Sequence, residues 1–327
     1  MRSPIPLHIH KTDLEFESGL FTKHVDLIAK CIQGKVVVWG RPNLSIVRIY
    51  DVSEKSWRNV QVKGDVHDGD LSVASVSEEG IIYLYGGGYA GSERLTSLTL
   101  DGNFRRVTIK GKQPFPRFGS VGWSHKGKLF FAFGSMFAYD FTEDRYIKGG
   151  DWSGIEGLRT TNEIIKFNLE EESVSFLDTE GSRPKPRSDC GCAQRGSKVY
   201  VHGGHDLETG VINDFHSLDM ETYQWTVIFH TGISVTYHSL TVAGPKQLML
   251  LGGAKALSVK NSSNMNYSVM LFNTETSHWK IDQQLPQEFC GQAVAVKQGS
   301  KVAKIIGVGR YGAEVLSSHL FEFYLKS

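Results

Sequence analysis

Short apolar runs that end in glycine recur six times along the chain, at 36–40, 81–88, 129–134, 199–204, 248–253 and 305–309. The runs at 129–134 and 248–253 have almost no polar interruption, which suits strands buried on both faces. Successive glycines lie 47 residues apart (Gly40 to Gly87), then 47 (to Gly134), 70 (to Gly204), 49 (to Gly253) and about 55 to the last. A period of about 40 to 50 residues built from short strands predicts a radial β-repeat.

A second mark follows each glycine. Tyr50 precedes Trp57 by seven residues, Leu218 precedes Trp225 by seven, and Phe272 precedes Trp279 by seven. The segments between (51–56, 219–224 and 273–278) are rich in Asp, Asn, Ser, Thr and Glu, as hairpin connections require. Each unit thus reads strand, strand ending in glycine, loop, strand, turn, strand with tryptophan. Two units lack the tryptophan; Phe104 stands near its place in one and Val174 to Phe176 in the other. Glycine at the strand ends permits positive φ and close backbone approach near a hub.

These features resemble a kelch-repeat β-propeller. The resemblance rests on the pairs Gly86-Gly87, Gly203-Gly204 and Gly252-Gly253, the aromatic-to-Trp spacing, and Pro-Arg ahead of two units (Pro116-Arg117, Pro186-Arg187). Units one, three and six depart from it, with Trp39-Gly40, Gly134-Ser135 and Gly307-Val-Gly309. The expectation is an all-β, six-bladed propeller filling residues 1–327 as a single domain. A lead-in spans 1–23, and the blades span approximately 24–63, 64–111, 112–180, 181–231, 232–284 and 285–327. The last unit stops after a third strand, while the N-terminus offers a spare one at 5–10. That segment is expected to close the last blade and remove an open edge.

The chain has 327 residues, 36 basic and 35 acidic, for a net charge of +1. This balance argues against nucleic acid or an acidic membrane as the main partner. Met1-Arg-Ser-Pro-Ile-Pro has no apolar core of a signal peptide, and no apolar run is long enough to span a bilayer. The expected location is therefore cytoplasmic or nuclear, with the four cysteines reduced, and the expected state is monomeric. Cys190 and Cys192 share one side of a strand; they read as small core residues or, with no second pair nearby, less readily as metal ligands.

Loop lengths choose a face. From the third-strand anchor to the tryptophan the spacing stays at seven. From glycine to that anchor it runs from 10 (Gly40 to Tyr50) through 14 (Gly204 to Leu218) and 19 (Gly253 to Phe272) to 33 (Gly134 to Phe167). Variable loops on a rigid scaffold carry recognition. The residues after each glycine are Arg41, Tyr89, His205, Lys255, Arg310 and Tyr311, and the blade-to-blade segments add His67, Phe118, Ser188, Tyr237 and Phe289. Arg and Tyr at such positions resemble kelch rims that take acidic peptides or a terminal carboxylate. The insert 136–159 has two readings: a cover over the mouth with Trp152 on the ligand, or a hairpin that extends its blade.

Chemistry is sparse. His202 and His205 with Asp206 and Glu208 invite a metal reading, yet His202 occupies the buried place of Trp39, Tyr85, Phe133 and Leu251 in other units. No nucleophile elbow, zinc-protease or phosphate-loop motif occurs. The leading expectation is a non-catalytic module that binds a protein or an acidic peptide, without cofactor or metal, in the manner of an adaptor or substrate receptor of a ubiquitin ligase. The alternatives are a propeller enzyme such as a sugar epimerase or specifier protein, and an actin-associated scaffold.

Overall fold

The computed structural model describes residues 7–15, 27–40, 43–67, 74–87, 92–137, 139–140, 145–146, 158–228, 233–257, 264–285, 289–298, 301–311 and 317–324. The architecture is an all-β propeller. Among the described residues, six sheets hold four or five strands each. The first is Leu27–Ile32, Lys35–Gly40, Asn43–Asp51 and Ser56–Gln61. The second is Ala74–Glu78, Ile81–Gly86, Ser92–Leu98 and Asn103–Arg106. The third is Val121–His125, Lys128–Ala132, Ile164–Asn168 and Ser173–Phe176. The fourth is Gly191–Arg195, Lys198–His202, Phe215–Asp219 and Gln224–Val227. The fifth is Ser239–Gly244, Gln247–Leu251, Ser268–Asn273 and His278–Gln284. The sixth is Phe289–Gln298, Lys301–Tyr311 and Ser317–Tyr324, and Leu7–Glu15 pairs antiparallel with its last strand. Both ends of the chain therefore share one sheet, in the register Leu7 to Phe323 and Lys11 to His319.

The seven-residue spacing is a register rule. Tyr50 lies directly opposite Trp57, Leu218 opposite Trp225 and Phe272 opposite Trp279. Phe104 and Val174 occupy the same site opposite Leu98 and Phe167. The acid or amide that opens each turn caps it. Asp51 Oδ1 accepts from the backbone of Ser53 and Glu54, and Asn273 Oδ1 from Glu275 and Thr276, at 2.9 to 3.2 Å. The ring pairs Tyr50–Trp57 and Phe272–Trp279 sit 5.1 Å apart. Such pairs contribute about 1 kcal/mol beyond area burial.

Among the described residues, the second strands of the first five sheets are deeply buried. Val36 to Trp39, Leu129 to Phe133 and Leu248 to Leu251 form their core. The first strands pack side by side in a closed ring, from the first sheet through the sixth and back to the first. Their free edges are held by neighbouring side chains. Gln292 accepts from Ala29 N–H at 3.0 Å and donates to Leu27 C=O at 3.1 Å, and Gln194 donates to Ser124 C=O at 2.6 Å. At the outer rim, the linker leaving one sheet covers the edge of the next. Lys63–Gly64 and Glu180–Gly181 pair in parallel with the outer strands of the second and fourth sheets, and Lys110 bridges Ser173 in the third. Covered edges cannot template pairing with another chain.

Candidate functional site

The glycine marks meet the start of the following sheet. Gly87, Gly134, Gly204 and Gly253 donate to the carbonyls of Arg117, Arg187, Val235 and Phe289 at 2.8 to 3.0 Å. A Cβ on Gly86, Gly203 or Gly252, all at positive φ, would collide with the carbonyl of Arg117, Val235 or Phe289. This close approach, together with positive φ, is why glycine stands there. It also aligns the connections. One position is Arg117, Arg187, Val235 and Phe289. The next is Phe118, Ser188 and Thr236, which form backbone bridges to Ser135, His205 and Ala254. The third is Gly119, Asp189 and Tyr237, all left-handed at φ +65°, +53° and +57°. Asp189 N–H donates to Gly119 C=O at 2.8 Å and Tyr237 N–H to Asp189 C=O at 3.0 Å, so this third position links successive sheets around the axis.

The first position is structural. Arg187 is fully buried; it donates to Gly203 C=O at 3.0 Å and to both oxygens of Asp214 at 2.5 and 2.9 Å. His216 Nε2 lies 3.1 Å from the same carboxylate. Burial alone would push the Asp214 carboxyl up. Hydrogen bonds from Arg187 and His216 outweigh it and hold the group well below the usual carboxylate range. Arg117 repeats the device more loosely, reaching Glu163 Oε2 at 3.2 Å. His67 fills the same place in the second sheet, with Nε2 3.0 Å from Gly86 C=O and Nδ1 3.1 Å from Thr96 Oγ1.

Behind this ring lies an imidazole pair. His202 is fully buried, as its place among Trp39, Tyr85, Phe133 and Leu251 implied, and its Nδ1 sits 3.1 Å from His238 Nε2. Burial pulls His202 down to about 3 and His238 well below its ordinary value, so both are neutral. The His238 ring needs the missing side chains around it: a Cβ on Gly191 or Gly203 would crowd it.

Nearer solvent, Ser188, Asp189, His205, Thr236 and Tyr237 converge. Ser188 Oγ donates to Asp189 Oδ2 at 2.8 Å, and His205 Nδ1 lies 3.9 Å from that oxygen. The same Nδ1 shares a hydrogen bond with Thr236 Oγ1 at 2.9 Å, and the His205 and Tyr237 rings are 5.5 Å apart. The structure thus brings together Ser188, His205 and Tyr237 of the residues chosen from sequence. His67 and Phe289 are buried in the first position, and Phe118 is half-buried in the second, so the five connection residues occupy three different levels. Lys255 is exposed. Arg310 and Tyr311 end a strand, paired with Cys290 and Phe289, and only their backbone is described. Arg41, Tyr89 and Trp152 lie outside the described residues.

The base of the insert is a hairpin: Ser135–Phe137 pairs with Leu158–Thr160, and Tyr139–Asp140 with Arg145–Tyr146. Cys190 and Cys192 pack in the core between the third and fourth sheets, and burial pushes both thiols up, Cys192 to about 12. Among the described residues no group of three His, Cys, Asp or Glu side chains is placed to hold a metal. Sequence reading missed Asp189, Thr236, Asp214 and His238. Aligning 116–120 (Pro-Arg-Phe-Gly-Ser), 186–190 (Pro-Arg-Ser-Asp-Cys) and 234–238 (Ser-Val-Thr-Tyr-His) would have exposed Asp189 and Tyr237 at a glycine position.

The repeat geometry agrees with a family comparison. The KLHDC2/KLHL20/DRC7 Kelch-repeats domain model matches residues 138–327, more than half of the chain. This chain belongs to the kelch-repeat proteins. Among kelch relatives, it is 25% identical over 223 residues to Kelch domain-containing protein 2 of Bos taurus, covering 63% of this chain and 53% of that protein. It is 26% identical over 252 residues to Kelch domain-containing protein 1 of Mus musculus, covering 72% of this chain and 61% of that protein. The chain therefore spans between about half and three fifths of the length of these relatives. The solved structure titled "Structure of YjhT" superposes with a TM-score of 0.69 over 94% of both chains at 12% identity, a likeness of fold alone.

Proposed function

We propose that this kelch protein is a six-bladed propeller forming one domain, and that it works as a non-catalytic module capturing a peptide or protein on the face where the glycine-marked strands end. One observation carries the choice of face. Val66, Leu207 and Leu257 are exposed aliphatic side chains on three separate connections of that face, beside the charged Glu208 and Lys255. Leu207 and Leu257 belong to the variable loops that follow the glycine marks, and variable loops on a rigid scaffold carry recognition. Arg41, Tyr89, Arg310 and Tyr311 would add an acid-binding sector, and Trp152 would stand on the insert. In the finer form of this reading the module is the recognition part of an adaptor or ubiquitin-ligase substrate receptor, in the cytoplasm or nucleus. That form rests on kinship of fold and on the sparse cysteines.

Exposed Phe176, Val227 and Ile281 on the outer strands offer the competing surface. The test is affinity capture with three full-length chains: wild type, Leu207→Asp/Leu257→Asp, and Val227→Asp/Ile281→Asp, each checked by thermal melt. A specific protein lost only with the first variant supports the reading. Loss only with the outer-strand variant moves the surface to the wall. Capture of nothing specific by the wild type defeats the module reading.

A further inference from the structure

Two partly buried carboxylates on connections of the fourth sheet have the same side-chain exposure, 16%, and different surroundings. Asp214 is met by a bidentate guanidinium and an imidazole. Asp189 receives one hydroxyl, Ser188 Oγ at 2.8 Å. Among the described residues the basic group within 4.0 Å of it is His205, whose Nδ1 is 3.9 Å away and already shared with Thr236 Oγ1 at 2.9 Å. A mostly buried carboxylate is stable when charge-assisted donors complete its shell, and a single hydroxyl leaves most of that capacity unused.

The backbone presents this group deliberately. Asp189 sits at φ +53° in the linked third position, where the third sheet has Gly119. A Cβ on Gly119 would strike Ser188 Oγ and lie 2.7 Å from Asp189 Oδ2, so the glycine makes room for the carboxylate. On the other side Tyr237, also left-handed, sets its ring against His205, 5.5 Å between centroids. Through His205 the carboxylate and the Tyr237 ring belong to one cluster, and an organic cation placed there gains an ion pair and a cation–π contact.

We propose that Asp189 anchors a positively charged group of the captured ligand, a primary ammonium or guanidinium, with Tyr237 bounding it. This rests on the reading of the glycine face as a capture surface and adds the chemistry of one sector of it. The experiment selects a displayed random peptide library on the full wild-type chain. Synthetic versions of the selected peptides are then measured against wild type, Asp189→Asn and Asp189→Glu. Asn accepts the left-handed backbone, so folding is preserved and is checked by melting. The expected result is a recurrent Lys, Arg or free amine in the peptides. Binding should be at least about tenfold weaker to Asp189→Asn, with partial recovery in Asp189→Glu. Peptides without a basic group, or with equal affinity for Asp189→Asn, overturn the proposal. If those peptides still lose binding to Leu207→Asp/Leu257→Asp, the capture face survives that failure. A library that yields no binding peptide defeats both readings.

Discussion

The Arg187–Asp214–His216 cluster and the Asp189–His205–Tyr237 corner lie in the same part of the propeller and use similar residue types. In the first, every charge has a partner of opposite sign, and the arginine also ties Gly203 C=O to the strand that follows. In the second, the carboxylate has one hydroxyl and a distant imidazole. The difference separates a fastening from a recognition element. Charges that hold sheets together are saturated within the chain, and charges that meet a ligand keep capacity for it.

Breaking the fastening has the largest expected effect. Arg187→Met strips a fully buried cation and leaves Asp214 with His216 alone, so unfolding stability should fall by about 3–5 kcal/mol. Chemical denaturation measures this; a loss below about 1 kcal/mol would show that the cluster is not a fastening. The imidazole pair predicts an intermediate effect with a pH signature. His202 titrates near 3 in the fold and near 6.5 when unfolded, so below pH 6.5 the unfolded chain takes up a proton that the fold refuses. Stability present above pH 6.5 should be lost progressively down to about pH 3, by up to about 1.4 kcal/mol per pH unit for each such histidine. His202→Phe, copying Phe133 of the third sheet, should flatten the pH dependence of the denaturation midpoint between pH 6.5 and 5; an unchanged slope counts against the pair as its origin. The smallest effect is expected where the comparison is sharpest. Asp189→Asn should stay within about 0.5 kcal/mol of wild type, because little in the fold depends on that charge. A cost of several kcal/mol would make Asp189 a second fastening.

Much of the fold was legible in the sequence because it is local and repeated. The spacing between Tyr50 and Trp57 is a hairpin register, and Gly86, Gly134, Gly203, Gly204, Gly252 and Gly253 stand where a side chain would strike the next connection. The site was less legible. Arg117 and Arg187 stood out only as marks preceding a unit, and their acids, Glu163 and Asp214, come from the far side of a loop. His67 and Phe289 looked like rim residues because their distance from the innermost strand was judged without register. A shift of one or two residues there decides between burial and the mouth.

The sequence by itself determined the strand pattern, the turns, the glycine-marked strand ends and the kinship to kelch repeats, since each follows from side-chain size, backbone freedom and spacing within a few tens of residues. Only the tertiary structure decided which polar side chains are spent and which remain. That depends on groups such as Arg187 and Asp214, or His202 and His238, meeting across 27 or 36 residues of chain in a space too dry to leave a charge unpaired.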